Sequence, residues 1–271
     1  MQKSRIGTGI EGDRTFMAAT VGALALLVFF FVALVLSLAA YTKAGTLWNT
    51  LVSPEILFAV KLSLVTATAA TLISICIAVP AAYAIANTDF PGKHIVDTIL
   101  DLPIVISPIA LGAALLIFFN TALGQAIERH VTTFVFEVAG IVLAQFTVIC
   151  ALAVRLMKST FDGIDPRYEQ VARTLGCSKV RAFFRVTLPL ARNGLVAAAI
   201  LTWARAVGEF GATVTLAGAM AFKTETLPVA IFLSLSVADV EKAIAVIFIM
   251  IAVSVGALLL LRKISGRGYR M

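Results

Sequence analysis

Residues 157–194 read MKSTFDGIDPRYEQVARTLGCSKVRAFFRVTLPLARNG, a basic stretch set between long apolar runs. Asp165-Pro166 is a good helix start, with Asp as the cap and Pro in the first turn. Tyr168, Val171, Ala172 and Leu175 then recur at spacings of three and four on one face. Gly176 follows as a C-cap. Ser178 can cap a second short helix whose apolar face is Val180, Phe183 and Phe184. Leu188-Pro189 is expected to end that helix and open the next run. The stretch therefore predicts two short helices with apolar faces and basic rims. By itself this pattern is equally that of a solvated basic loop.

The flanking chain decides what such helices are attached to. Of 271 residues, 60% are hydrophobic and 14% charged, against roughly 45–50% and about 25% in soluble proteins. Mean hydropathy is +1.00. This excludes a soluble enzyme, a disordered regulator and a disulfide-rich secreted module. A spanning helix needs about 20 largely apolar residues. Six runs qualify: Met17–Tyr41, Ile56–Asn87, Ile99–Asn120, Glu137–Met157, Asn193–Met220 and Val240–Leu261. Pro80 is expected to kink the second run or mark its inner end, and Pro103 and Pro108 fall in the third. Thr121–Phe136 reads as a loop or interfacial helix. Ala221–Asp239 reads as a mixed connection with a partial or re-entrant helix at Leu227–Val237. The first run is too long for a signal-peptide core of about 7–15 residues, so it is expected to be retained.

The 22 basic and 15 acidic residues give a net charge of +7, and their placement carries topology. With six spans, one side collects Lys3, Arg5 and Arg14, then Lys93. Eight more lie between Arg155 and Arg192, and four close the chain from Arg262 to Arg270. The other side holds only Lys43, Lys61, Arg129, Lys223 and Lys242. Both termini are thus expected to be cytoplasmic: an N-terminal segment 1–16, a transmembrane region 17–262 with its main cytoplasmic loop at 159–192, and a tail 263–271. The excess charge is a topology signal, and no nucleic-acid partner is implied. Cys76, Cys150 and Cys177 form no metal-spaced cluster, and two scattered histidines offer no triad chemistry.

With these features in place, the stretch at 157–194 resembles the conserved cytoplasmic loop of ABC-importer permeases. That pattern is Glu-Ala-Ala, three residues, Gly, nine residues, Ile, one residue, Leu-Pro. Ala172, Gly176, Val186, Leu188 and Pro189 match it, while Gln170 and Val171 stand where the family has Glu and Ala. Glu169, one residue earlier, is placed to supply the carboxylate. The resemblance implies that the loop docks into a cleft of an ATPase subunit, with Glu169, Gln170, Ala172 and Gly176 in the coupling helix and Leu188 and Pro189 shaping the return.

The fifth run, TWARAVGEFGATVTLAGAM (residues 202–220), holds Arg205 and Glu209. Intramembrane charges mark functional sites by default, and a spacing of four lets these two pair. Gly208, Gly211 or Ala212, Thr215 and Gly218 offer a small-residue face for close helix approach. Mutual neutralisation with a packing seam, and a pore or gate at a dimer axis, are compatible readings. Residues 204–213 resemble the equivalent region of molybdate/tungstate permeases; sulfate permeases carry Tyr and Ser where this chain has Phe210 and Ala212. Leu102–Gly112 resembles the proline-rich segment of the same group. Pro103 and Pro108, with Arg205, Gly208, Glu209 and Thr213, are therefore candidate pore or gate residues.

The resemblance, from about Ile56 to Leu261, implies an all-α membrane protein with the type I ABC importer permease fold. It implies two copies of this chain, two ATPase subunits and an external oxyanion-binding protein, all in a lipid bilayer. No GxxxxGK[ST] phosphate loop occurs, so this chain is expected to bind no cofactor, ATP and Mg being used by the partner. Molybdate or tungstate is the expected cargo, with sulfate or thiosulfate as the alternative. A secondary transporter would call for paired acidic sites and an internal repeat, and neither is evident. A membrane enzyme would need a cluster of nucleophile, base or metal ligands.

Overall fold

The computed structural model describes residues 7–41 and 44–265. Lys3, Arg5, Lys43, Arg267 and Arg270 of the charge pattern lie outside the described residues. The chain forms two compact units that divide between Asn49 and Thr50. In the first, α1 (Gly7–Tyr41) is a 35-residue helix. Its stretch Phe16–Tyr41 is long and apolar enough to cross a membrane, and it leaves Phe29, Phe30 and Phe31 exposed. A short helix, α2 (Ala44–Leu51), follows.

The second unit opens with α3 (Pro54–Asn87), started by Ser53, whose Oγ accepts the Ile56 N–H, and by Pro54 in the first turn. This helix continues through Pro80 to Asn87, so Pro80 does not mark its end. The run expected as one span at 99–120 is instead two helices, α4 (Lys93–Val105) and α5 (Pro108–Phe119), bent by 107°. The cause is local. Proline disfavours helical backbone at the residue before it, and Ser107 is extended at φ −62° and ψ 142°. The Ser107 Oγ then accepts the Ala110 N–H and starts α5 afresh. Pro103 sits inside the last turn of α4 and takes no part in the break.

Next come α6 (Ala122–His130), the interfacial-helix alternative for this stretch, and α7 (Val138–Asp162). The loop helices are α8 (Arg167–Thr174) and α9 (Lys179–Ala182). A π-turn, Phe183–Thr187, leads without interruption into α10 (Leu188–Val207). Leu188-Pro189 therefore does not end a helix. Pro189 cannot donate to the carbonyl four residues back, and the ladder widens instead, with the Leu188 N–H reaching the Phe183 carbonyl. The fifth span accordingly occupies Lys179–Val207, 29 residues; the expected 193–220 is too late. It stops at Gly208, and α11 (Gly211–Ala217) is a separate helix. The chain closes with α12 (Leu227–Ser236), the expected partial helix, and α13 (Val240–Ser265).

Among the described residues, five helices are long and apolar enough to cross a membrane, or six if the bent α4–α5 pair counts as one span. The centre of the second unit is built from small side chains. Ala78 and Ala82 of α3, Ala153 and Val154 of α7, and Ala191 and Ala198 of α10 are buried together. Small residues let backbones approach closely where lipid offers no hydrophobic drive between helices. Polar ties hold the ends. Arg155 of α7 pairs with Asp97 and Asp101 of α4 at 3.3 and 2.5 Å. Lys242 of α13 pairs with Glu55 of α3 at 2.6 Å. The Ser63 Oγ accepts the Leu227 N–H at 2.7 Å, seating the start of α12 on α3.

Candidate functional site

At the end of the bundle that carries residues 159–192, α8 begins with the Arg167 N–H bonded to Asp165 Oδ1 at 2.9 Å. It ends in a Schellman motif, with the Cys177 N–H on the Ala172 carbonyl and the Gly176 N–H on the Arg173 carbonyl. Gly176 stands at φ +88°, and a Cβ there would meet nothing within 4 Å. Only the left-handed backbone, not space, makes glycine the fitting residue. Ser178 Oγ accepts the Arg181 N–H and starts α9 within two residues of that turn. The angle between the two helices is thus set by one glycine and one serine.

Glu169 lies on the inner face of α8. Its carboxylate accepts the Tyr83 hydroxyl at 2.8 and 2.9 Å and the Thr187 hydroxyl at 2.9 Å. Tyr83 belongs to α3 and Thr187 to the π-turn, so one carboxylate fastens α8 to two spans. The Tyr83 ring also packs on Phe161 and Phe183. Ala172 is buried, whereas Tyr168, Val171 and Leu175 are exposed at 59%, 58% and 81%. Gln170, where the family pattern has Glu, is exposed. α8 therefore presents an apolar outer face while its inner face is held by a charge-assisted bond. Leu188 and Pro189 lie at the exit of the π-turn, directly after Thr187.

The second group of expected residues meets elsewhere. α11 packs on α5 so closely that a Cβ on Gly211 would fall 2.9 Å from Ile109 Cγ1 and 3.2 Å from Pro108 Cβ. A Cβ on Gly112 would fall 2.8 Å from both Cα and O of Ala212. The break before Pro108 and the break after Gly208 are thus brought side by side. Arg205 Nη1 lies 2.7 Å from Glu209 Oε2, and the Glu209 side chain is 1% exposed. The expected pairing forms, although Glu209 stands past the end of α10. Its other oxygen accepts the Ala212 N–H at 3.1 Å, so the carboxylate also starts α11. Gly208 closes α10, and Gly218 closes α11 at φ +78°; the seam itself is Gly211, Ala212 and Thr215. Thr213 is buried, and its hydroxyl has no hydrogen-bond partner among the described residues. Pro103 is not brought to this seam.

Several residues here had no sequence signal strong enough to find them. Tyr83 and Thr187 belong to no local motif and meet Glu169 only through the fold. Gln145, an amide in an apolar run, donates to the Ala206 carbonyl at 3.1 Å and ties α7 to the end of α10. Near the start of α3, Glu225 is fully buried. Its carboxyl is pushed up to about 7 by that burial and by the neighbouring Glu55, with Lys242 opposing.

The second unit is a bundle of four apolar helices long enough to cross a membrane, or five with the bent α4–α5 pair as one span, with two breaks side by side and a paired-helix loop at one end: the architecture of a multi-pass membrane subunit. Residues 74–267 match the model of the binding-protein-dependent transport system inner membrane component family, and the chain belongs to that family. It is 39% identical over 77% of its length to a probable molybdenum ABC transporter permease protein of Haloferax volcanii, covering 76% of that protein. It is 34% identical to the molybdate/tungstate transport system permease protein WtpB of Thermococcus kodakarensis, over 81% of this chain and 83% of that one. The molybdenum transport system permease protein ModB of Escherichia coli K12 is 36% identical over 64% of this chain and 77% of its own. Among solved structures, a chain of a bacterial alginate ABC transporter superposes with a TM-score of 0.76 at 16% identity over 99% of both chains. A chain of the MetNI methionine ABC transporter gives 0.60 at 16%, covering 82% of this chain and 99% of that one. The fold is that of a type I ABC importer permease.

Proposed function

We propose that this chain is the membrane-spanning subunit of a binding-protein-dependent importer of molybdate or tungstate, with both termini cytoplasmic. Two copies work with two ATPase subunits and an external oxyanion-binding protein. This chain binds no cofactor; ATP and Mg are used by the ATPase. The observation that carries the reading is α8, apolar and exposed outward and fastened inward through Glu169 to both α3 and the π-turn that leads into α10. Closure of the ATPase pair pushes on Tyr168, Val171 and Leu175. Glu169 passes that displacement to Tyr83 and Thr187, so two spans move with the loop. The Gly176 turn keeps α9 at a fixed angle to α8, so the push does not dissipate in the loop. At the other end of the coupling, the α5–α11 seam with Pro108, Gly208 and Glu209 is the gate that opens and closes. Few positive charges line the spans, which suits a path that releases an anion rather than trapping it.

The test is ATP-dependent uptake of radiolabelled molybdate, tungstate and sulfate into vesicles containing the whole transporter. Molybdate or tungstate is expected to accumulate and to outcompete sulfate. Gly176→Asp, which places a β-carbon and a charge at φ +88°, should leave the chain in the membrane and abolish uptake. Full uptake by that variant at normal expression would overturn the coupling role. Uptake that persists without ATP and collapses with the ion gradient would overturn the class.

A further inference from the structure

Two cavities adjoin at the α8 end of α3 and share Tyr83 and Lys179. The first, of about 620 Å³, is apolar and runs between α3 and the α9–π-turn segment, along Ile75, Cys76, Val79, Pro80, Phe183 and Phe184. The second, of about 140 Å³, is polar and is lined by Asn87, Gln170, Arg173 and Lys179, with Glu169 on its inner wall. Glu169 is already engaged by two hydroxyls. Arg173 and Lys179 have no ion pair among the described residues. The pair of cavities is thus an apolar trough that ends at two free cations and two side-chain amides.

Depth in the membrane matches this division. The 34 residues of α3 rise about 51 Å, roughly 20 Å more than a hydrocarbon core. If that excess is shared between its ends, about seven residues at each end stand among headgroups. Ile75, Cys76 and Val79 of the trough then lie at acyl-chain depth, Tyr83 lies at the boundary, and Asn87 lies outside. The charge also fits, because anionic lipids of the cytoplasmic leaflet attract basic residues at that level.

We infer that the two cavities together bind one anionic phospholipid of the cytoplasmic leaflet, an acyl chain in the apolar trough and the phosphate between Lys179 and Arg173. The wall between chain and phosphate is Tyr83, whose hydroxyl holds Glu169. The bound lipid therefore braces the bond that fastens α8 to α3. The leaflet, and the consequence for coupling, rest on the orientation and loop role proposed above.

The test is retention of lipid by the purified full-length chain in native mass spectrometry, with phosphatidylglycerol and phosphatidylcholine offered in equal amounts. Phosphatidylglycerol should be retained preferentially. Each cation contributes about five-fold, so the double variant Arg173→Gln/Lys179→Gln should lose roughly 25-fold. Both side chains are exposed, so the fold should survive. In vesicles, phosphatidylglycerol should slow alkylation of Cys76, read by peptide mass, and the double variant should remove that protection. Equal retention of the two lipids would overturn the inference. So would undiminished retention by the double variant, or Cys76 protection equally well given by a second copy of the chain in phosphatidylcholine. Displacement of the lipid phosphate by free inorganic phosphate with the acyl chain left in place would reassign the polar cavity to a soluble anion. Retention is scored without ATPase or cargo, so a failed uptake assay leaves it standing, and failed retention leaves the importer reading standing.

Discussion

Glu169 is the residue on which most of the loop's geometry converges, and it sits one position before the place where the family pattern has its carboxylate. Gln170, at the pattern position, is exposed at the rim of the polar cavity. The shift has a physical reason: on α8 a residue one place earlier points about 100° further round, which turns position 169 toward α3 and the π-turn. The structure therefore uses the carboxylate inside the subunit. Tyr83→Phe tests this. It removes one of the two hydroxyls on a partly buried carboxylate, a loss of about 1–2 kcal/mol. ATP hydrolysis should continue while uptake per ATP falls several-fold; unchanged uptake per ATP would show that Glu169 needs no hold on α3. Arg205 and Glu209 illustrate the opposite outcome at the same scale. Their pairing was readable from a spacing of four, but the second bond of Glu209, to the Ala212 N–H, exists only because α10 stops at Gly208.

Among elements, the decisive contact is α5 against α11. Both are short helices restarted after a break, and they meet backbone to backbone at Gly112 and Gly211. Gly112→Ala would drive a methyl to 2.8 Å from the Ala212 main chain, which cannot yield as a side-chain tip does. A loss of about 1–3 kcal/mol follows, measurable as a lower unfolding midpoint in detergent. Gly256→Ala on α13, where a Cβ meets nothing within 4 Å, is the control and should be neutral or stabilising by up to about 1 kcal/mol. A second inter-element junction joins α3, α13 and the loop before α12 through Glu55, Lys242 and the buried Glu225. The folded Glu225 carboxyl titrates near 7 against an ordinary 4.5. The native state holds a proton there that the unfolded chain has released, so stability falls as pH rises from about 4.5 to 7 and is level above. Glu225→Gln should therefore raise the unfolding midpoint at pH 8 and have little effect near pH 4.5. An equal effect at both pH values would mean that the carboxyl is not held protonated by the fold.

For the whole molecule, the distribution of charge predicts that residues 159–192 face the cytoplasm. Cys177, beside the Gly176 turn, reports on this. A membrane-impermeant thiol reagent should reach it in inside-out vesicles and not in intact cells, and labelling from the outside would reverse the orientation and with it the place of the ATPase. The apolar runs, five of them single spanning helices and the third a bent pair, and the partial helix at 227 were legible because each rests on local apolar length. The boundaries were less so. The third run read as one span because its apolar residues are continuous, whereas a single Ser-Pro junction turns it by 107°. The fifth run read as starting after Pro189, at Asn193, because a proline in a helix is normally a stop; a π-turn absorbs it, and the span begins fourteen residues earlier, at Lys179.

What the amino-acid order determined unaided was whatever depends on neighbours along the chain. This includes the membrane-length runs, the topology bias, the Asp165, Ser178 and Gly176 caps of the loop helices, and the spacing that lets Arg205 reach Glu209. Tertiary structure alone decided which side chains meet from distant segments. Tyr83 lies 86 residues before Glu169, and the two breaks that form the α5–α11 seam lie about a hundred residues apart. Hydrogen-bonded caps and apolar periodicity act over a turn or two of helix and leave their mark in sequence. Contacts across a bundle depend on how whole helices pack, and within apolar runs built of Ala, Val, Ile and Leu almost every face is equally eligible until the packing selects one.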